Sequence, residues 1–156
     1  MRRFKQQLPE AEVRQILTEA TNGVLSMVDN GGIPYGVPMS FVYNGRDAIY
    51  FHCAREGRKI DALSHCNRAS FCIVALDDVQ PAEFTTYYRS VIAEGRITVA
   101  EDRDEMTTAL RMLGEKYAPG MDSSHEIAKA IDHLCILRFD IDSISGKEAI
   151  ELTRRR

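Results

Sequence analysis

Three cations stand close together at the predicted start of a short helix, within residues 55–59 (REGRK). Helix N-termini carry a partial positive charge and favour acidic residues, so each misplaced cation costs about 0.3–1 kcal/mol. A bound phosphate would offset this cost, because it accepts hydrogen bonds from the free N–H groups of the first turn and pairs with Arg58 and Lys59. The residues alone leave a second interpretation open, a solvated basic turn partly neutralised by Glu56 and Asp61.

His52 and Cys53 end the strand candidate that precedes this basic turn. An imidazole can orient a substrate or donate a proton near neutrality, although a lone histidine in a strand is more often a packed, hydrogen-bonded side chain. The His-Cys pair recurs at His65 and Cys66, which raises zinc binding as an alternative. Neighbouring strand residues point to opposite faces, so one pair cannot easily give two ligands to one ion, and zinc is disfavoured.

The elements that must position these residues follow from apolar periodicity and turn signals. Helices are predicted at residues 9–20, 57–65, 103–117 and 123–132. Strands are predicted at residues 24–28, 36–43, 48–53, 69–76, 85–99 and 134–141, with tight turns at 29–32 and 44–45. Gly95 inside the longest strand predicts a bulge or a close backbone approach. Six strands, with two helices between the fifth and the sixth, predict an α+β fold with a small barrel at its centre.

Length and composition narrow the class of protein. The 156 residues, 44% of them hydrophobic, suffice for one core, so a single domain is predicted over residues 1–156, with tails at 1–8 and 146–156. The net charge of −3 lacks the broad positive field that nucleic-acid binding needs. Neither a secretory signal nor an apolar span of about 20 residues is present, so no membrane partner is expected. The four cysteines lack C-x-x-C spacing, and a cytoplasmic protein is predicted.

Three longer motifs carry a family resemblance over nearly the whole chain. They read GVPMSFVY at 36–43, YFHCAREGRK at 50–59 and TTYYRSVI at 85–92. Together they resemble the FMN-binding split barrels of the pyridoxamine 5'-phosphate oxidase-like family, and within it the nitroimidazole-resistance (Nim-like) group. The resemblance implies a six-stranded antiparallel split β-barrel with flanking helices, and a homodimer with the flavin between subunits. The interior of a small barrel is filled by side chains, so a ligand must lie on its outer surface and be covered by a second chain, which agrees with a dimer.

The same resemblance implies a set of site residues. His52 and Cys53 border the flavin, and Arg58 and Lys59 take its phosphate, in agreement with the dipole argument. Ser90 falls where the oxidases place a flavin-binding glutamine. The strand beside the isoalloxazine ring contributes Val37, Pro38, Met39, Ser40 and Val42. The R-x-x-x-x-K pattern expected over residues 37–42 is absent, as is the C-terminal substrate-binding arginine motif, so vitamin B6 oxidation is not expected.

The sequence therefore predicts an FMN-dependent oxidoreductase. A reduced nicotinamide would reduce the flavin, which would pass electrons to a small aromatic acceptor such as a nitro compound, with His52 orienting the substrate or donating a proton. The alternative is a non-catalytic module that binds FMN, or haem as some relatives do, for storage or sensing. A third hypothesis, a purely structural dimer with an empty cleft, conflicts with the cationic turn.

Overall fold

The computed structural model describes residues 4–154, which form one antiparallel sheet with helices around it. The helices are α1 (Glu10–Glu19), α2 (Arg58–His65), α3 (Arg103–Tyr117), α4 (Ser124–Ala130) and α5 (Ile150–Thr153). The strands are β1 (Asn22–Val28), β2 (Pro34–Ser40), β3 (Val42–Tyr43), β4 (Ala48–Ala54), β5 (Arg68–Gln80), β6 (Thr85–Val99) and β7 (Leu134–Glu148). Their order in the sheet is β2-β1-β5-β6-β7-β4-β3. The predicted α+β class and split barrel are confirmed.

The barrel closes because β2 and β3, the two outermost strands of the sheet, are consecutive in the chain. Only Phe41 separates them, and there the chain leaves β1 and pairs with β4 instead. The hydroxyl of Tyr117 fills the gap, accepting the N–H of Phe41 at 2.9 Å and donating to the Thr21 carbonyl. The predicted single strand 36–43 is therefore two strands, and the predicted count of six is corrected to seven.

Aromatic side chains fill the barrel, and helices cover its ends and one outer face. Phe71 packs edge-to-face against Phe41 and Phe51, with ring centroids 4.9 and 5.0 Å apart. Such pairs are favourable beyond the area they bury. Leu17 of α1 and Ala62 of α2 join this core. A second apolar cluster lies outside the barrel, where α3 and α4 pack on β3, β4 and β7. No helix in residues 4–154 is long and apolar enough to span a membrane.

The last strand extends into the segment that was predicted to be a C-terminal tail. β7 continues to Glu148, which is fully buried and paired with Arg89 at 3.2 Å, so residues 146–148 belong to the sheet. At the other end, Gln7 bridges to Lys147 and Leu8 is buried in the core. The predicted tails also include residues 1–3 and 155–156, which lie outside the described part. A buried carboxylate needs a partner, and its partner Arg89 is distant in sequence.

Gly95 confirms the predicted close backbone approach. The register between β6 and β7 shifts at this residue, which forms a bulge. A Cβ atom added here would overlap the carbonyl oxygen of Asp140. Only glycine fits, because the obstructing atoms belong to the backbone and cannot rotate away.

Candidate functional site

β2 exposes one backbone edge to the split in the barrel. Its other edge pairs with β1, and at the end of that ladder the N–H of Asp29 donates to the Ile33 carbonyl at 3.0 Å. Backbone groups in an antiparallel ladder alternate in direction, so those of Gly36, Pro38 and Ser40 point away from β1. They face β4, which comes close to β2 without pairing with it. Pro38 suits this edge because it has no N–H to leave unpaired.

The side chains of the predicted flavin strand divide between the surface and the interior. Pro38 and Ser40 are exposed on the outer face of β2. Val37 and Met39 point into the barrel core, and Val42 is buried in the outer cluster beneath α3. Two of these five predicted residues, Pro38 and Ser40, are therefore exposed beside the split. The other three are not: Val37 and Met39 pack inside the barrel, and Val42 packs beneath α3.

His52 borders the same opening from the opposite side. It is exposed on the outer face of β4. The register of β3 with β4 pairs Val42 with Tyr50. Two residues further along, Ser40 pairs with β1 and His52 pairs with β7. A serine hydroxyl and an imidazole are thus exposed on the outer faces of the two strands that flank the split.

A charged network fixes the sheet beside His52. The hydroxyl of Tyr50 donates to Glu105 at 2.9 Å, and Arg138 donates to the same carboxylate at 2.8 Å. Burial, followed by the hydrogen bond to Glu105, raises the pKa of Tyr50 to about 12. Tyr50 therefore remains protonated near neutrality, and its role is to tie α3 to β4.

α2 begins without a side-chain cap, at the edge of this opening. Gly57, the residue before the helix, has φ of 124°, a conformation that side-chain-bearing residues rarely adopt. Apart from the adjoining chain, no atom lies within 4 Å of the position that a Cβ of Gly57 would take, so the space beside this residue is open. The first backbone hydrogen bond of the helix runs from Asp61 to Gly57 at 3.1 Å. The N–H groups before it have no acceptor within the helix, which makes this turn suited to an anion.

Arg58 stands in this first turn and already has a carboxylate partner. Its Nη2 donates to Oδ2 of Asp29 at 2.9 Å, and its guanidinium lies 4.2 Å from the centroid of the Tyr35 ring. The acidic neighbours predicted to neutralise the turn were Glu56 and Asp61, and the residue that pairs with Arg58 is instead Asp29. Because the Arg58 side chain is 53% exposed, it can still donate to a second anion.

Asp29 belongs to the turn between β1 and β2. Its Oδ1 accepts the N–H groups of Gly31 and Ile33 at 3.0 and 2.9 Å. The hydrogen bond from Ile33, followed by the one from Arg58, lowers the pKa of Asp29, so the carboxylate is charged at neutral pH. Asp29 therefore links the start of α2 to the hairpin that carries the free edge of β2.

Cys53 lies near Lys59, on the side of β4 that faces the barrel core. Cys53 points into the barrel, on the face of β4 opposite to His52, and it pairs across the sheet with Cys135 of β7. Burial, followed by the neighbouring Cys135, raises the pKa of Cys53 to about 11, against the lowering effect of the Lys59 charge. Cys53 is therefore a neutral thiol near neutrality, and its side chain does not face the split.

Ser90 is not brought to this cluster within one chain. It lies half-buried on β6, between Val74 of β5 and Lys147 of β7. β1 and β5 separate β6 from β2 in the sheet. A ligand that contacts both Ser90 and the split would therefore need a second chain.

An apolar row connects these two regions on the outer face of the sheet. Pro38, Val24, Cys72 and Ile92 lie side by side on β2, β1, β5 and β6. Val24 and Ile92 are 41% and 43% exposed. Exposed apolar side chains in a continuous row are typical of a surface that another molecule covers.

Sequence reasoning missed Asp29 and Tyr35 as partners of Arg58. Asp29 was interpreted only as a turn residue, and its contact with α2 spans the whole of β2, β3 and β4. It also missed Tyr117, whose hydroxyl ends the β1–β2 ladder. The only signal in the sequence was that Asp29 and Tyr35 lie on either side of a tight turn. Such a position does not show which distant residue the side chain will contact.

Comparison with known proteins agrees with this architecture. The family model described as pyridoxamine 5'-phosphate oxidase matches residues 9–148. No curated protein sequence matches the chain. A crystal structure described as a candidate 5-nitroimidazole antibiotic resistance protein from Bacteroides thetaiotaomicron aligns with a TM-score of 0.79 and 23% identity, covering 91% of this chain and 86% of the other.

Two further solved structures are described as cofactor-binding proteins. A flavocytochrome from Azotobacter vinelandii aligns with a TM-score of 0.77 and 23% identity, covering 94% of this chain and 70% of the other. An FAD and haem binding protein from Mycobacterium smegmatis aligns with a TM-score of 0.77 and 22% identity, covering 93% of this chain and 73% of the other. At these identities the likeness establishes the fold.

Proposed function

The chain belongs to the pyridoxamine 5'-phosphate oxidase family, and from this premise we propose that it is an FMN-binding oxidoreductase. The proposed site is the split between β2 and β4, with the phosphate at the start of α2. The observation that carries the proposal is the uncapped first turn of α2, which begins with Arg58 and Lys59 and is tied to the β1–β2 hairpin by the ion pair of Arg58 with Asp29.

The donors at this site fit the two ends of a flavin nucleotide. The N–H groups of the first turn and the side chains of Arg58 and Lys59 suit a terminal phosphate. The N–H and carbonyl groups on the free edge of β2 suit the polar edge of a flat heterocycle, with the Ser40 hydroxyl beside them. The flavocytochrome and the FAD and haem binding protein support a flavin in this fold, and the flavin in the description of the Mycobacterium smegmatis protein is FAD.

A second copy of this chain is the proposed cover for the site. The apolar row from Pro38 to Ile92 begins at the split and ends beside Ser90. Two such faces packed together would place Ser90 of one chain towards the site of the other and would remove the exposed apolar row from water. A homodimer with the flavin between subunits accounts for the distance of Ser90 from Arg58 along the sheet.

The bound flavin would supply hydride and electron transfer, from a reduced nicotinamide to a small aromatic acceptor. The chain itself would hold the phosphate, align the ring along β2 and exclude water through the second subunit. The exposed imidazole of His52 would orient the acceptor or pass a proton to it, because it stands at the rim of the split. Support for a nitro compound as acceptor comes from the Bacteroides thetaiotaomicron structure.

Binding of FMN and of riboflavin to the same variants tests the phosphate site. Arg58→Ala combined with Lys59→Ala should weaken FMN by about 100-fold or more, since each of the two lost charged hydrogen bonds costs about 1.5–3 kcal/mol. Riboflavin, which lacks the phosphate, should bind the variant as it binds the wild type. Arg68→Ala is the matched control, because Arg68 is also half-exposed and paired with a carboxylate, Asp142. Equal loss of FMN and riboflavin would overturn the assignment.

Turnover separates an enzyme from a binding module. The flavin absorbance of the FMN-loaded protein should bleach with a reduced nicotinamide and return with a nitroaromatic acceptor. His52→Asn should retain FMN and lose most of the reoxidation rate. Absorbance that never bleaches supports the non-catalytic module instead. A Soret band after addition of haem, without flavin binding, would point to haem storage or sensing.

A further inference from the structure

Two thiols face one another across β4 and β7, at the end of the barrel near α2. Cys53 and Cys135 are direct partners in the register, and both belong to the core cluster. The thiol of Cys135 donates a long hydrogen bond to the carbonyl of Ile136, at 3.9 Å. Neither cysteine is in a disulfide.

The backbone sets a separation at which these thiols can be joined. The N–H of Ala100, the residue after β6, donates to the Ile136 carbonyl at 2.9 Å, so the backbone groups of the adjacent Cys135 point the other way, towards β4. Cys53 and Cys135 therefore form a hydrogen-bonded pair, whose Cα atoms lie about 5.5 Å apart in an antiparallel sheet. Disulfides span Cα distances of about 4.4–6.8 Å, which this pair meets. Their Cβ atoms must come within about 3.5–4.5 Å, closer than the roughly 5.5 Å of a hydrogen-bonded pair, so oxidation must draw the two strands together and the bond formed is easily reduced.

One of the two cysteines also lines a cavity. A cavity of about 420 Å³ lies between α2, α3 and the ends of β6 and β7, with Cys135 in its wall. Arg55 and Glu101 are its charged walls, and Ile60 and Met106 are among its apolar ones. A small molecule that carries both a sulfur group and a carboxylate would find a thiol and a guanidinium in the same space.

The surroundings decide which thiol reacts first. Burial raises the pKa of both thiols, and it raises that of Cys53 to about 11. On Cys135 the neighbouring Cys53 thiol and the charge of Arg55 lower the pKa in part, without cancelling the rise that burial causes. Cys135 also lines the cavity, so it is the attacking thiol, and Cys53 directly opposite is the resolving one.

We propose that Cys53 and Cys135 form a reversible dithiol–disulfide couple that exchanges with small carboxylate-bearing disulfides such as glutathione disulfide. The Cys135 thiolate attacks one sulfur of the small disulfide, breaks its S–S bond and releases one thiolate, which takes up the proton that Cys135 lost. Cys53 then loses its proton, attacks Sγ of Cys135 and releases the second small thiol. Two protein thiols are oxidised while one small disulfide is reduced to two thiols. This couple requires no bound flavin.

Mass spectrometry of the full chain tests the couple. The protein is incubated with excess glutathione disulfide, quenched by acid, alkylated and digested. The expected product is a peptide pair cross-linked through Cys53 and Cys135, which disappears on reduction with dithiothreitol. Cys66, which follows α2 outside the sheet and is partly exposed, should carry glutathione singly and show that the reagent was active.

Two variants check the order of the steps. Cys53→Ser should stop the reaction halfway and leave glutathione on Cys135, whereas Cys66→Ser should leave the cross-link unchanged. Recovery of Cys53 and Cys135 as free thiols or separate glutathione adducts in the wild type, with Cys66 modified in the same sample, overturns the proposal. The wild-type experiment decides the matter even if Cys53→Ser does not fold.

Discussion

The ion pair between Arg58 and Asp29 predicts that one conservative change will strengthen ligand binding. Asp29→Asn removes the negative charge that engages Arg58, at 2.9 Å, while it keeps a carbonyl oxygen to accept the N–H groups of Gly31 and Ile33. The turn between β1 and β2 should therefore persist. Arg58 should become free to pair with a phosphate alone, and the phosphate should no longer be repelled by a nearby carboxylate.

The size of the effect follows from simple electrostatics. Two unit charges about 6 Å apart in a water-like medium interact by about 0.7 kcal/mol. A phosphomonoester carries about 1.5 to 2 negative charges at neutral pH, so loss of the Asp29 charge should stabilise bound FMN by about 1 kcal/mol. That corresponds to a dissociation constant about fivefold lower. The pKa of Asp29 is lowered, so the wild-type carboxylate is charged at any pH above its usual range. The effect should therefore change there only with the charge of the phosphate, which loses its second proton at about pH 6.

Fluorescence titration of FMN and riboflavin into wild type and Asp29→Asn measures this effect. FMN affinity should rise in the variant, riboflavin affinity should stay the same, and added salt should reduce the difference. Thermal unfolding of the unliganded proteins checks that the turn is intact. Weaker FMN binding by a variant that folds normally, or an equal gain for riboflavin, would refute the placement of the phosphate beside Arg58.

Three further predictions concern the elements that hold the site. Nζ of Lys116 is buried without a hydrogen-bond partner in the described structure, 4.1 Å from the Phe41 ring centroid, and burial lowers its pKa. Because the unfolded chain then binds the proton more tightly, Lys116→Met should stabilise the fold at neutral pH in urea unfolding, and its advantage should shrink as the pH rises towards the ordinary lysine value. Tyr50→Phe removes the hydrogen bond to Glu105 and should cost about 1 kcal/mol, seen as a melting temperature lower by about 2–4 °C. Gly95→Ala places a methyl group against the Asp140 carbonyl and should cost about 3 kcal/mol or more in urea unfolding, whereas Gly31→Ala, with only ordinary contacts, should cost far less.

Local signals were enough to predict most of the elements. α3 begins and ends at the predicted residues, and Asp102 caps it by accepting the N–H of Asp104. The turn after β3 forms because the side chain of Asn44 accepts three successive N–H groups, beginning with that of Arg46. In each case the residues that decide the structure lie within a few positions of one another, so the sequence pattern contains them.

The parts that the sequence did not predict depend on distant partners. The break at Phe41 needs the Tyr117 hydroxyl from α3, and the end of β7 needs Arg89 to pair with the buried Glu148. The candidate site shows the same division. Its cationic turn was predictable from the helix dipole, but the partner of Arg58 comes from a turn that no local pattern connects to α2.

The central claim is that the start of α2 and the free edge of β2 hold a flavin phosphate and ring in one site. A crystal structure of the full chain with FMN tests this most directly. The phosphate should lie within hydrogen-bonding distance of Arg58, Lys59 and the N–H groups of the first turn of α2, with the ring along Gly36, Pro38 and Ser40. A phosphate bound elsewhere, with the first turn of α2 facing only water, would contradict the account.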